Sequence, residues 1–238
     1  MAFNKGTAAN GANGADVTSV TFNYTVTGNS DRILYMGASL QHYPGTTTVS
    51  SMTYNGTGGN SINTVWSDGG IPRTGASHYF WYDSALPGTG QNSCVITAAA
   101  TCNTVAGWAM DIDGRAQSGQ PTDEGTDMNA GGTSASVSLT GLTSGAVMLD
   151  TLSRNDADNS PTVGANQTEE TENQFDFGAS ADEGTIIGSS EEVSGTSGTM
   201  SMSWTGAEQM GYLAAAFDPV GGGVSGHPQF YNRRRRAA

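Results

Sequence analysis

Apolar and polar residues alternate with a period of two along much of this chain. Val20, Phe22, Tyr24 and Val26 fall on one side of an extended backbone, and Thr21, Asn23, Thr25 and Thr27 on the other. Met200, Met202 and Trp204 alternate in the same way with Thr199, Ser201 and Ser203. Side chains two apart share a face of a strand, so both runs predict strands that cover a core. Arg32–Leu40 and Met210–Phe217 are apolar on both sides, as strands buried on both faces are. Val49–Tyr54 runs into Asn55-Gly56, a strong hairpin signal. Further strands are expected at Ile62–Trp66, Ser77–Tyr82, Ser93–Ala98, Thr104–Ile112, Ala135–Leu139, Ala146–Leu152, Thr168–Phe177 and Thr185–Glu191. No segment carries a sustained helical period.

About a dozen short strands with turn residues between them predict an all-β fold, an antiparallel β-sandwich of jelly-roll-like type. Residues 1–16 read as an extended N-terminal arm, 17–219 as one sandwich domain, and 220–238 as a glycine-rich, then arginine-rich, C-terminal tail. Residues 113–134 are expected to form the longest loop, and the first and last strong strands to share one core. The 34 glycines suit tight turns, where a positive φ is needed.

Charge divides the chain. Residues 1–230 hold all 22 acids and five bases, whereas Arg233, Arg234, Arg235 and Arg236 stand together near the end. So acidic a body repels a phosphate backbone, which argues against a nucleic-acid partner. No stretch has the ~20 apolar residues of a membrane span. No basic region followed by an apolar one opens the chain, so a soluble product made in the cytoplasm is expected. Cys94 and Cys102 then read as a buried thiol pair across a hairpin rather than a disulfide.

The order of segments resembles a known family. The opening alternating strand is followed by an apolar strand and by Val49-Ser-Ser-Met-Thr-Tyr-Asn-Gly56. An aromatic strand His78-Tyr-Phe-Trp-Tyr82 with Pro87-Gly88 follows, then Thr133-Ser-Ala-Ser-Val-Ser-Leu139. Met200-Ser-Met-Ser-Trp204 and Leu213-Ala-Ala-Ala-Phe-Asp-Pro219 close the series. This pattern is similar to β-sandwich modules of tailed-phage virion proteins and of bacterial surface or secreted proteins. The resemblance covers residues 17–219 and implies a fold but no catalytic residues.

The tail supplies the sharpest candidate site. Phe230 and Tyr231 offer apolar anchors and Arg233–Arg236 forked donors suited to carboxylates, so these six residues are expected to bind a partner. The expected partners are other virion proteins, capsid or neighbouring copies, in a homo-oligomer.

Catalysis has little support: no Gly-x-Ser-x-Gly occurs, and His42, His78 and His227 are the only histidines. Residues 111–192 hold 16 of the 22 acids, which read as a solvated acidic face; Asn155–Asn159 offers only part of a calcium loop. No cofactor or metal is expected. The chain therefore reads as a non-enzymatic virion structural protein, a capsid decoration or head-fibre protein held by its arms. The competing reading is a tail-fibre, adhesin or carbohydrate-binding module. It would use aromatics near Trp66 and Tyr79–Tyr82 that are not in the core.

Overall fold

Strand alternation is realised where the sequence shows it. In the computed structural model, which describes residues 3–43, 45–67, 73–87, 90–178 and 183–221, Val20, Phe22, Tyr24 and Val26 are buried while Thr21, Asn23 and Thr25 are exposed. The described residues form thirteen strands in two antiparallel sheets, an all-β sandwich. The first sheet contains β1 (Ala9–Val26), β2 (Ile33–His42), β3 (Val49–Tyr54), β4 (Thr57–Gly58), β5 (Asn60–Trp66), β6 (Arg73–Tyr82) and β7 (Gly90–Ile112). The second contains β8 (Asp123–Thr140), β9 (Val147–Arg154), β10 (Thr162–Val163), β11 (Thr168–Asp176), β12 (Glu183–Glu192) and β13 (Ser197–Phe217).

The two sheets repeat one topology. The first runs β4-β3-β7-β2-β6-β5 with β1 on the other edge of β7. The second runs β10-β13-β9-β12-β11 with β8 on the other edge of β13. Register fixes the equivalent positions. Ile33 pairs with Ile112 and Tyr82, and Val147 with Phe217 and Glu192. Gly6 N donates to Asp111 O (2.9 Å) as Thr122 N donates to Ala216 O (2.8 Å). β1–β7 and β8–β13 both break register near mid-length, between Gly14 and Ser19 and between Ser203 and Met210.

These long pairs let each half fold over itself. β7 pairs with β3 through Cys94–Ala98 and with β2 through Thr104–Ile112, so one strand serves two layers. The first half encloses Phe22, Tyr24, Leu34, Met36, Met52, Trp81 and Ile96; the second encloses Val137, Leu139, Leu152, Met200, Met202 and Tyr212. A third cluster joins them, with Tyr35, Phe80, Trp108 and Ile112 against Leu149, Ile186, Ala215 and Phe217. The first and last strong strands thus line different inner cores, although β13 also enters the shared one.

Three further sequence expectations change. Cys94 and Cys102 lie on one continuous strand, not across a hairpin, because Ala99-Ala-Thr101 has none of the glycine, proline or asparagine that would turn the chain. They are free and buried. The expected loop 113–134 is strand from Asp123 onward. Its glycines imitate a loop, but Gly125 allows a close approach, since a Cβ there would lie 2.6 Å from Val137 Cγ1. Within the expected arm, Ala9–Gly14 already pair with Ala109–Thr104.

A short segment stitches the halves together. Arg115, itself buried, donates from Nε to Asp113 O (2.9 Å) and from Nη1 to Gly145 O (2.7 Å) and Phe217 O (3.4 Å). At the seam, Ser39 Oγ and Ser153 Oγ are 2.6 Å apart. These two residues occupy equivalent positions, so a local twofold axis passes between them, the geometry of an isologous interface.

Candidate functional site

Phe230, Tyr231 and Arg233–Arg236 lie outside the described residues, as does His227. The other candidates are all placed.

β6 is buried on both faces, which settles the aromatic run. Trp81 points into the first core, where Nε1 donates to Thr57 O (3.0 Å), and Phe80 faces the seam. Trp66 packs against the first core over Gly75, and Tyr79 also packs against that core. Tyr82, half-buried at the end of β6, lines an open cleft.

The two described histidines, His42 and His78, do not converge. His78 is fully buried at the seam, and burial lowers its pKa to about 3, so the ring is neutral. Its Nδ1 lies 3.0 Å from Tyr35 Oη, which is 2.9 Å from Thr151 Oγ1. Trp108 Nε1 donates to the same Thr151 oxygen (3.0 Å). This polar group is internal, and it orients the two sheets. His42 is at the surface against Thr101 O.

The acids divide into two kinds. Asp156 accepts from Arg154 Nη2 (2.8 Å), Asp158 N (2.7 Å) and Asn159 Nδ2 (3.3 Å), so the Asn155–Asn159 segment closes around a buried guanidinium. Among the described residues no three His, Cys, Asp or Glu side chains are grouped to hold a metal ion. Asp111 and Asp150 are wholly buried and were not singled out by the sequence. Asp111 accepts from Tyr24 Oη and from Thr27 N and Oγ1. Asp150 accepts from Tyr212 Oη (2.6 Å), Ser189 N (2.7 Å), Ser189 Oγ (2.8 Å) and Gln167 Nε2 (3.3 Å). Burial nevertheless raises its pKa to about 7, against the pull of those donors. A lone acid inside an otherwise apolar strand, as in Met148-Leu-Asp-Thr-Leu152, was the available signal.

Among several open hollows, a cleft of 510 Å³ lies at the boundary of the two halves, between β5–β6 and the segment entering β8. Ile62, Phe80 and Tyr82 give it an apolar side, with the Phe80 and Tyr82 rings edge to face at 5.1 Å. Tyr82 Oη is held by the backbone of Gln120, accepting from N (3.0 Å) and donating to O (3.4 Å). Asp123 and Glu124 form the acidic rim. Asp123 is committed to the backbone N–H groups of Glu124 (3.0 Å) and Thr140 (2.7 Å). The Glu124 carboxylate has no hydrogen-bond partner among the described residues; partial burial and then Asp123 raise its pKa.

No protein-family model matches this chain, and neither does any curated protein sequence.

Proposed function

We propose that this chain is a non-enzymatic structural protein of a tailed-phage particle, a capsid decoration or head-fibre protein. The observation that carries the reading is the separation of charge along the chain. An acidic body, built of two interlocked halves, precedes a glycine-rich segment and four arginines. The body's buried acids and histidine are engaged in packing, which suits a scaffold. Phe230, Tyr231 and Arg233–Arg236 would clamp the body to an acidic face of a capsid protein or of a neighbouring copy, arginine forks meeting carboxylates. In this reading the protein is made in the host cytoplasm and resides in the virion as a homo-oligomer.

The test removes residues 221–238. The truncated chain should keep its fold, because Val220 N closes the last described turn on Gly114 O. It should lose incorporation into particles, and any oligomer of the full chain should weaken with salt. Unchanged incorporation of the truncated chain would overturn the clamp.

A further inference from the structure

The two halves differ most informatively at the cleft beside Tyr82. Its equivalent in the second half is occupied. There the chain before β1 lies across the opening, with Lys5 paired to Glu170 and Phe3 packed into the shared core. At the cleft the position equivalent to Lys5 is Pro121, and that of Glu170 is Ile62. Phe80 and Tyr82 replace Ser190 and Glu192. Where one half has an ion pair, the other has an open hollow with an apolar side.

The groups left around that hollow define what fits it. Ile62 and the half-buried Tyr82 ring, backed by the buried Phe80, present apolar area of the kind that covers the C–H face of a pyranose. Asn60 donates through Nδ2 to Phe80 O (3.3 Å), which leaves its Oδ1 facing no donor among the described residues. Gln120 Oε1 accepts from Asp218 N (3.0 Å), leaving its amide N–H groups as donors. Glu124 adds a carboxylate acceptor with no protein partner among those residues. No lysine, arginine or histidine lines the cleft, so an anionic ligand would find no cation to pair with and would be repelled by Asp123 and Glu124. A single uncommitted carboxylate is too few for a bare divalent cation, which takes six to eight oxygens if it is calcium. An apolar side with a few oriented donors and acceptors is the usual make-up of a small-molecule site.

We propose that this cleft binds a neutral saccharide. One sugar ring packs on the Ile62–Tyr82 side, and its hydroxyls donate to Glu124 and Asn60 and accept from Gln120. The site is independent of the C-terminal clamp, and it replaces Trp66 and Trp81, which the fold commits to packing, as the aromatic surface for a glycan.

The experiment uses the full chain on an array of neutral, sialylated and sulfated oligosaccharides, with the best neutral ligand titrated by saturation-transfer NMR. Neutral glycans should be retained and acidic ones not. Glu124→Gln, at an exposed position, should weaken binding about tenfold, the value of one charge-assisted hydrogen bond. Ile62→Glu should abolish it by placing a charge on the apolar side, with the circular dichroism spectrum unchanged in both variants. Failure to retain any neutral glycan would overturn the proposal. So would preference for acidic glycans, or a bound neutral glycan indifferent to both substitutions.

Discussion

Asp150 should make this protein less stable as pH rises through the mildly acidic range. Its carboxyl is enclosed by Tyr212, Ser189 and Gln167 and sealed from solvent, and its pKa stands at about 7 against an ordinary 3.8. A group whose pKa is raised on folding favours the folded state while protonated. The contribution is complete below about pH 4, declines as pH climbs toward 7, and is level above that. At about 1.4 kcal/mol per pH unit the displacement corresponds to about 4 kcal/mol. Asp150→Asn removes the titration and keeps the shape. The amide oxygen still accepts from Ser189 N, and the amide nitrogen can donate to Ser189 Oγ or Tyr212 Oη. Urea unfolding of both proteins, followed by tryptophan fluorescence every half pH unit from 4.5 to 8, isolates this residue, since other titrating groups are common to both. The stability of the variant relative to the parent should climb by about 2–4 kcal/mol across that range. Parallel curves would refute the reasoning.

Other expectations follow from the packing. Gly188→Ala should cost about 3 kcal/mol or prevent folding, because its Cβ would run into the Trp108 ring, whereas Gly131→Ala, with open space around it, should change stability little. Arg115→Ala strands three carbonyls and should lower stability by about 2–4 kcal/mol in thermal or urea melts. Burial pushes the Cys94 thiol up to about 12 and that of Cys102 to about 11. Ellman's reagent should therefore label neither thiol in the native protein and both in guanidinium, and reductant should leave the melting temperature unchanged.

The alternation of Val20–Val26 and Met200–Trp204 was readable because one face of each strand meets a core and the other meets water. β2 and the last third of β13 were readable as apolar runs because they are covered on both faces, one by an inner core and the other by the seam. What escaped was continuity. β7 and β13 each cross between layers at a stretch of small residues, Ala99–Thr101 and Thr205–Ala207, that lies exposed within the strand and looks like its end. The repeat escaped for a related reason. Equivalent positions share a burial class but seldom a residue, as with Tyr35 and Leu149 or Phe80 and Ser190. The cleft was half legible. Tyr82 stood out in an aromatic run, but Glu124 belongs to a segment that composition assigned to a loop, and only the pairing of β8 with β13 brings it alongside.

The self-contact of Ser39 with Ser153 has an implication for how such a seam can change. In a symmetric pair of separate chains every substitution is made twice, so a large residue near the axis meets its own copy. Here the two sides are one polypeptide. His78 has glycine, Gly188, as its counterpart, and the Trp108 indole fills the room that this glycine leaves. Gly37 in turn makes way for Thr151. No homodimer of either half could hold this arrangement, because it demands two different residues at one address. Covalent linkage of the halves is what allows bulk on one side to be matched by its absence on the other. It also allows one of two topologically equivalent clefts to be filled while the other is open.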